Sequence, residues 1–105
     1  MTKVIYVLHR RPDIDPGEFR RYWRDVHGPI AARMPGLRRY VQDYPLLDAS
    51  GQPPCDGIAE LWFDSEEAMQ AALASPEGVA TLADVANFLD PDRIGEMVVD
   101  EVAVV

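Results

Sequence analysis

Short apolar runs and helical apolar stripes follow one another along the chain, separated by polar residues, prolines and glycines. The runs are rich in β-branched and aromatic residues, which is typical of buried strands. They predict four strands: Lys3–Arg10, Leu37–Tyr44, Ile58–Phe63 and Met97–Val105. Residues 45–57 hold three prolines and two glycines and predict a loop.

The first helical stripe follows the first strand. Asp15 can cap this helix, and Pro16 suits its first position. Its apolar residues recur at helical period and predict one buried stripe: Phe19, Tyr22, Trp23, Val26 and Ile30. Gly28 and Pro29 predict an interruption immediately after His27, because proline lacks a backbone donor.

A second helical region lies between the third and fourth strands. Asp64 and Glu67 have the spacing of a capping box and predict its start. Ser75-Pro76 predicts a restart that carries the helix on to Phe88. The order is β-α-β-β-α-β, which predicts an α+β, ferredoxin-like fold: a four-stranded antiparallel sheet with helices on one face. We expect a single domain over residues 1–105.

Such a sheet leaves one face without helices, and the strand pattern conflicts with a wet face. The first strand alternates between Val4, Tyr6, Leu8 on one side and Ile5, Val7, His9 on the other. Both sides are largely apolar, whereas a solvated face should be polar. We therefore expect a homodimer in which two sheets cover each other.

The net charge and its distribution along the chain indicate which classes of binding partner are compatible with this sequence. The 105-residue chain has a formal charge of −8, with nine of its ten basic residues in the first 45 positions. An acidic chain is a poor candidate for nucleic acid. The early arginines can attract an anionic ligand, but they also fit the solvated face of the first helix. No segment is apolar for long enough to cross a membrane, and no signal peptide is evident, so we expect a cytoplasmic protein.

The sequence holds few signals of metal, covalent or cofactor chemistry. Its one cysteine, Cys55, lies in the Pro-rich loop without a neighbour that would activate it. Two histidines and one cysteine match no zinc spacing. Nucleophile elbow, phosphate loop and dinucleotide-binding motifs are absent. We expect neither a cofactor nor a metal.

His27 is the most informative residue, because it sits where the first helix is interrupted, at the edge of the buried stripe. Its ring can exchange protons near neutral pH. A structural histidine that binds a carbonyl freed by Pro29 is an equal alternative. Tyr40 lies on the second strand and can approach His27 to orient a substrate oxygen, although its ring also fits an ordinary core.

Other candidates are a carboxylate on a strand and a set of aromatic residues. Glu60 lies on an otherwise apolar strand face, where burial would raise its pKa or an arginine at the dimer interface would pair with it. His9 and the pair Asp100-Glu101 can join the same network. The aromatic residues fit either the core or the lining of a ligand pocket: Tyr22, Trp23, Trp62, Phe63 and Phe88.

Several motifs together resemble the EthD family, named for ethyl tert-butyl ether degradation. They are Phe19-x-x-Tyr22-Trp23-x-x-x-His27-Gly28-Pro29, then Pro35-Gly36-Leu37-x-x-Tyr40, Glu60-Leu61-Trp62-Phe63-Asp64-Ser65 and Phe88-x-Asp90. The similarity spans about residues 3–102. It implies the dimeric α/β-barrel superfamily, whose ferredoxin-like protomers pack sheet against sheet.

For function, the resemblance implies an oxidoreductase-associated family of small-molecule catabolism or secondary metabolism, whose related barrels include isomerases, cyclases and monooxygenases. A lactone methylisomerase of this superfamily uses a helix histidine and a strand tyrosine, which align with His27 and Tyr40, and a cysteine where this chain has Leu61. The leucine counts against the identical isomerisation and leaves a histidine–tyrosine pair able to transfer a proton. The resemblance therefore implies a cofactor-free enzyme with His27 as acid or base and Tyr40 as a donor to the substrate oxygen. Expected ligand contacts are Tyr22, Trp23, Leu61, Phe63 and Phe88. The alternatives are a non-catalytic binder of a hydrophobic metabolite, accessory to a P450, and a heme-degrading relative.

Overall fold

Four antiparallel strands carry the helices on one face in a computed structural model, which describes residues 1–46 and 53–105. The strands are β1 (Thr2–Leu8), β2 (Arg39–Asp43), β3 (Gly57–Phe63) and β4 (Gly95–Asp100). They lie in the order β2-β3-β1-β4, and every neighbouring pair is antiparallel. This is the predicted ferredoxin-like α+β fold. The middle of the predicted loop over residues 45–57 lies outside the described residues.

Two helical regions connect the strands. The first consists of α1 (Pro16–Tyr22), a π-helical turn (Trp23–His27) and α2 (Gly28–Ala31). The second consists of α3 (Glu66–Ala74) and α4 (Pro76–Asp84), followed by two 3₁₀ turns (Val85–Asn87 and Pro91–Arg93). No helix of the described residues is both long and apolar enough to cross a membrane.

The core lies between the helices and the side of the sheet that carries Val4, Leu8, Leu61 and Phe63. From the helices, Phe19, Trp23 and Phe88 fill it, each at most 1% exposed. The opposite face carries Ile5, Val7, Val41, Ile58 and Val99, which are all half-buried in the single protomer. We call this opposite side the bare face.

The predicted interruption at Gly28-Pro29 is a widened helical turn rather than a break. The Gly28 backbone N–H donates to the Trp23 carbonyl, five residues back, instead of the four of an α-helix. Pro29 has no N–H for the next bond, which removes a competing α-helical contact. The turn therefore contains one extra residue.

This extra residue rotates the side chains of the turn, and those after it, relative to the predicted α-helical stripe. The α-helical stripe predicted Val26 and Ile30 inside, but Val26 is 43% exposed and Ile30 is half-buried. His27, at 7% exposure, and Ala31, at 2%, face inward instead. The prediction for Val26 was wrong because it assumed a period of 3.6 residues through the turn.

Two further predictions need correction. Ser65, and not Asp64, caps α3: its hydroxyl accepts from the Ala68 N–H at 3.0 Å. The fourth strand ends at Asp100 and not at Val105, because its last ladder partner is Thr2, the first residue of β1. Residues 101–105 have no strand left to pair with on that side and are exposed.

We predict that Ser65→Ala lowers the free energy of unfolding by about 1 kcal/mol, because it removes the cap of α3. Asp64→Ala is the matched control. Asp64 forms an exposed ion pair with Arg38 at 2.8 Å, and such pairs contribute little. Urea denaturation followed by circular dichroism measures both. A larger loss for Asp64→Ala than for Ser65→Ala would contradict the capping assignment.

Candidate active site

A cavity of about 320 Å³ lies between the helices and the covered face of the sheet. Its volume is at the small end of the range for small-molecule sites. Most of its wall is apolar: Leu8, Trp23, Ala31, Met34, Ala59, Leu61, Leu73, Leu82, Val85, Leu89 and Ile94. Five residues bring polar atoms to the wall: Tyr6, His27, Tyr40, Thr81 and Glu96.

The π-helical turn delivers His27 to this wall. The imidazole packs against the Phe88 ring, with 4.6 Å between the ring centroids. Its Nδ1 lies 2.8 Å from a carboxylate oxygen of Asp84, at the end of α4, and both side chains are 9% exposed. Asp84 does not line the cavity, so Nε2 is the ring nitrogen that can meet a ligand.

Asp84 is held by three donors. The Tyr22 hydroxyl donates to Oδ1 at 2.5 Å, and the Asn87 side-chain amide donates to the same oxygen at 3.0 Å. Burial opposes ionisation of this carboxyl, but the hydrogen bonds from Tyr22, Asn87 and His27 outweigh it and lower the pKa of Asp84. Asp84 is therefore a carboxylate at neutral pH.

The charge state of His27 follows from two opposed effects. Burial lowers its pKa, and the hydrogen bond and charge of Asp84 oppose this only in part, so the pKa lies below 6.5. The ring is neutral at pH 7. An ionised carboxylate only accepts hydrogen bonds, so we assign the ring proton to Nδ1. This tautomer leaves a lone pair on Nε2, as a general base requires.

Tyr40 reaches the same cavity from β2, and Gln42 holds it there. The Gln42 side-chain amide donates to the Tyr40 hydroxyl at 2.9 Å and to the Trp23 carbonyl at 2.9 Å. Tyr44 donates to the Gln42 side-chain oxygen. Because the Tyr40 oxygen accepts from Gln42, its own proton can be donated to a ligand.

The pKa of Tyr40 and the space around Gln42 are both consistent with a Tyr40 hydroxyl that donates to a ligand. Burial raises its pKa, although the hydrogen bonds from its neighbours oppose the shift, so the hydroxyl is protonated at neutral pH. A glycine at position 28 makes room for the amide, since a Cβ there would lie 3.1 Å from Gln42 Nε2. The residue that closes the π-helical turn thus also permits the Gln42 bridge.

The predicted ligand contacts divide into two groups. Trp23 and Leu61 line the cavity together with His27 and Tyr40. Tyr22 lies behind the wall, where it holds Asp84. Phe63 and Phe88 are fully buried in the core and do not line the cavity.

Glu60 and Glu101 belong to a network on the bare face. Lys3 bridges them, with Nζ 2.8 Å from Glu60 and 3.1 Å from Glu101. The pKa of Glu60 is lowered, first by a hydrogen bond with Asp43 and then by Lys3. The expected rise in the pKa of Glu60 is therefore wrong, and within the protomer Glu60 pairs with Lys3.

The remaining candidates lie elsewhere. Trp62 faces away from the cavity, under Lys3 at 4.7 Å and Arg39 at 4.8 Å from its ring centroid. His9 and Cys55 line a second, more polar cavity of about 470 Å³. His9 thus does not join the network of Glu60 and Glu101. Within residues 1–46 and 53–105, no group of three or more His, Cys, Asp and Glu side chains could hold a metal ion.

Asp84 and Gln42 are the residues that the sequence reasoning missed. Asp84 shares the inward stripe of α4 with Gly78 and Thr81, at spacings of three residues, so a carboxylate on a buried helix face was the available signal. Gln42 alternates with Tyr40 on β2, which places both on the same face.

A protein family and a relative of known sequence match this chain. The family model described as the EthD domain matches residues 11–92. The chain belongs to the EthD family. An uncharacterized 11.0 kDa protein of Rhodococcus erythropolis, from the thcB-thcC intergenic region, is 32% identical over 85 residues, which cover 80% of this chain and 81% of that protein.

Solved structures share the fold of this chain. An EthD family protein of Bacillus halodurans superposes with a TM-score of 0.81 at 24% identity, covering 97% of this chain and 100% of the other. A dimeric ferredoxin-like protein of unknown function from Thermobifida fusca gives 0.70 at 19% identity, covering 93% and 88%. SnoaB of Streptomyces nogalater, a cofactor-independent oxygenase, gives 0.66 at 15% identity, covering 95% and 91%. At these identities the likeness concerns the fold.

We predict that Asp84→Asn lowers the pKa of His27 further. The substitution removes the negative charge that favours the imidazolium and leaves the effect of burial unopposed. Titration of the His27 ring protons by NMR measures this shift, with His9 as the internal control because it lies in the other cavity. An unchanged or higher His27 pKa in the variant would contradict the assigned pairing.

Proposed function

We propose that this EthD-family protein is a cofactor-free enzyme that transfers a proton on a small hydrophobic or aromatic ligand, next to a carbonyl group. The observation that carries the proposal is the His27–Asp84 pair, at 2.8 Å, on the wall of an apolar cavity that Tyr40 also lines. An oriented neutral histidine and a hydroxyl donor in a mostly apolar cavity provide the two groups that proton abstraction needs.

The proposed step uses the two groups in concert. His27 Nε2 takes a proton from the carbon beside the carbonyl, and the electron pair of the broken C–H bond moves onto the carbonyl oxygen. Tyr40 donates a hydrogen bond to this developing enolate oxygen. Asp84 stabilises the imidazolium, which then returns the proton to the same carbon or to another carbon of the ligand.

The enolate is common to several outcomes. Proton return at another position completes an isomerisation, attack on a second carbonyl completes a cyclisation, and reaction with molecular oxygen leads to oxygenation. SnoaB, which shares the fold, is described as a cofactor-independent oxygenase. This likeness supports a chemistry that begins with proton removal and does not select among the three outcomes.

We predict that the protein accelerates exchange of the α-protons of 2-tetralone, a small aromatic ketone, in deuterated buffer. His27→Ala should reduce the rate by about 10²–10⁴-fold, the usual contribution of a general base. Tyr40→Phe should reduce it by about 10²-fold or more, because the oxyanion loses its donor. Proton NMR follows the exchange.

His9→Ala is the matched control, because it removes the other histidine and should leave the exchange rate unchanged. If His27→Ala exchanges α-protons as fast as the unmodified protein, the proton-transfer role is wrong. If 2-tetralone binds equally to both proteins and neither accelerates exchange, the non-catalytic binder becomes the better description of this cavity.

We further propose that two protomers pair through the bare face. Its half-buried apolar side chains would otherwise remain in contact with water, at a cost of roughly 25 cal/mol per Å². Met97 lies on the same face and is 58% exposed. The related protein from Thermobifida fusca is described as dimeric, which supports this pairing.

We predict that Ile5→Arg, at the centre of the bare face, shifts the protein from dimer to monomer at micromolar concentration. A charged guanidinium there would have to be desolvated at the interface. Val79→Arg is the matched control, because Val79 is a 57% exposed valine on α4, away from the bare face. Sedimentation equilibrium measures the mass. A monomeric unmodified protein, or two variants of equal mass, would contradict the pairing.

A further inference from the structure

As far as the structure describes it, the cavity wall carries an acidic side chain but no cationic one. Among the described residues that line it there is no lysine and no arginine, and Glu96 supplies the one carboxylate. His27 lines the wall as a neutral ring, and the charge directly behind it, on Asp84, is also negative. A ligand in this cavity therefore meets negative charge on two sides and no counter-charge.

Glu96 lies on β4 at a position that makes it available to a ligand. It is directly opposite Tyr6 in the β1–β4 ladder, so both side chains are on the face that carries the cavity. Glu96 is exposed, and none of the ion pairs within residues 1–46 and 53–105 includes it. Burial, and then the charge of Glu96, raise the pKa of Tyr6 to about 12, so Tyr6 stays a neutral hydroxyl.

Apart from the neutral hydroxyls of Tyr6 and Thr81, the polar groups of the cavity form two sets, one that donates a hydrogen bond to a ligand oxygen and one that accepts a hydrogen bond from the ligand. Tyr40 offers a proton to a ligand oxygen beside His27, which suits a carbonyl group. Glu96 only accepts hydrogen bonds when ionised, so it suits a ligand group that donates one. The wall between the two sets is mostly apolar and suits a ring.

We infer that the cavity selects uncharged ring compounds that carry a hydroxyl or similar donor for Glu96, and that it rejects ligands bearing a carboxylate. The inference rests on the proposed function for where the carbonyl end of the ligand lies. It narrows the substrate class to neutral hydroxylated ketones, such as phenolic or enolic ring compounds. Free aromatic acids and lactone acids are disfavoured, because a carboxylate in this mostly apolar cavity would meet the charge of Glu96 and no lysine or arginine of the described wall.

The test compares two probes that differ mainly in charge, 2-naphthol and 2-naphthoate, by isothermal titration calorimetry at pH 7.5. We expect the protein to bind 2-naphthol at least about tenfold more tightly than 2-naphthoate. Glu96→Gln should reduce this ratio by about tenfold, chiefly through tighter binding of 2-naphthoate, because the repelling charge is gone. Glu67→Gln is the matched control: it removes an exposed carboxylate on α3 outside the cavity and should leave the ratio unchanged.

Three results would overturn the inference: equal or tighter binding of 2-naphthoate, a ratio that Glu96→Gln does not change, or no binding of either probe. The outcome is separable from that of the proposed function, because calorimetry measures binding without proton transfer. Retained selectivity without α-proton exchange would count against the enzyme role alone. Retained exchange without selectivity would count against the role of Glu96 alone.

Discussion

One backbone hydrogen bond decides which side chain the first helical region presents to the cavity. The Gly28 N–H bonds to the carbonyl of Trp23 and not to that of Arg24, so the turn holds an extra residue. With α-helical spacing, Val26 would lie inward and His27 at the edge of the buried stripe. The widened turn turns Val26 outward and buries His27. A π-helical turn at a functional site is a recurrent device in proteins, and here its consequence is one imidazole in an apolar space.

Two networks of side chains provide hydrogen-bond partners for the polar groups buried beside the cavity. Asp84, held by Tyr22 and Asn87, accepts from His27, and Gln42 connects Tyr40 to the carbonyl at the start of the π-helical turn. A buried polar group without a partner costs about 1–3 kcal/mol, so each connection stabilises the fold as well as the geometry. The networks also fix roles. Asp84 directs the lone pair of His27, and Gln42 leaves the Tyr40 proton free.

The sequence predicts the architecture well because the architecture depends on periodicity and turn residues. Four strands, their antiparallel order and the Asp15 cap follow from alternation and capping rules, and the structure has all of them. Predictions that assumed regular geometry were less successful. Val26 was predicted to lie inside, but the π-helical turn breaks the 3.6-residue period and leaves it exposed. The predicted β4 was too long, because the end of a strand depends on where its partner strand ends.

The sequence predicts that His27 and Tyr40 lie near each other, and both line one cavity of the candidate site, but it does not predict the residues that hold them. His27 and Tyr40 stand out from their local context, and the EthD family motifs include both. Asp84 and Gln42 act only through contacts between elements distant in sequence: 57 residues separate His27 from Asp84. No local pattern links such positions. Phe63 and Phe88 were predicted as ligand contacts but belong to the core. The sequence could not separate the two roles, because an aromatic residue at the right spacing suits a core and a pocket wall equally well.

The environment of His27 holds the ring neutral, with its proton on Nδ1 and its lone pair on Nε2. Long-range proton–nitrogen correlation NMR of the ¹⁵N-labelled protein at pH 7 observes both ring nitrogens. We expect one protonated nitrogen at Nδ1 and one unprotonated nitrogen at Nε2 for His27. A ring protonated at both nitrogens, or one with the proton on Nε2, would contradict it.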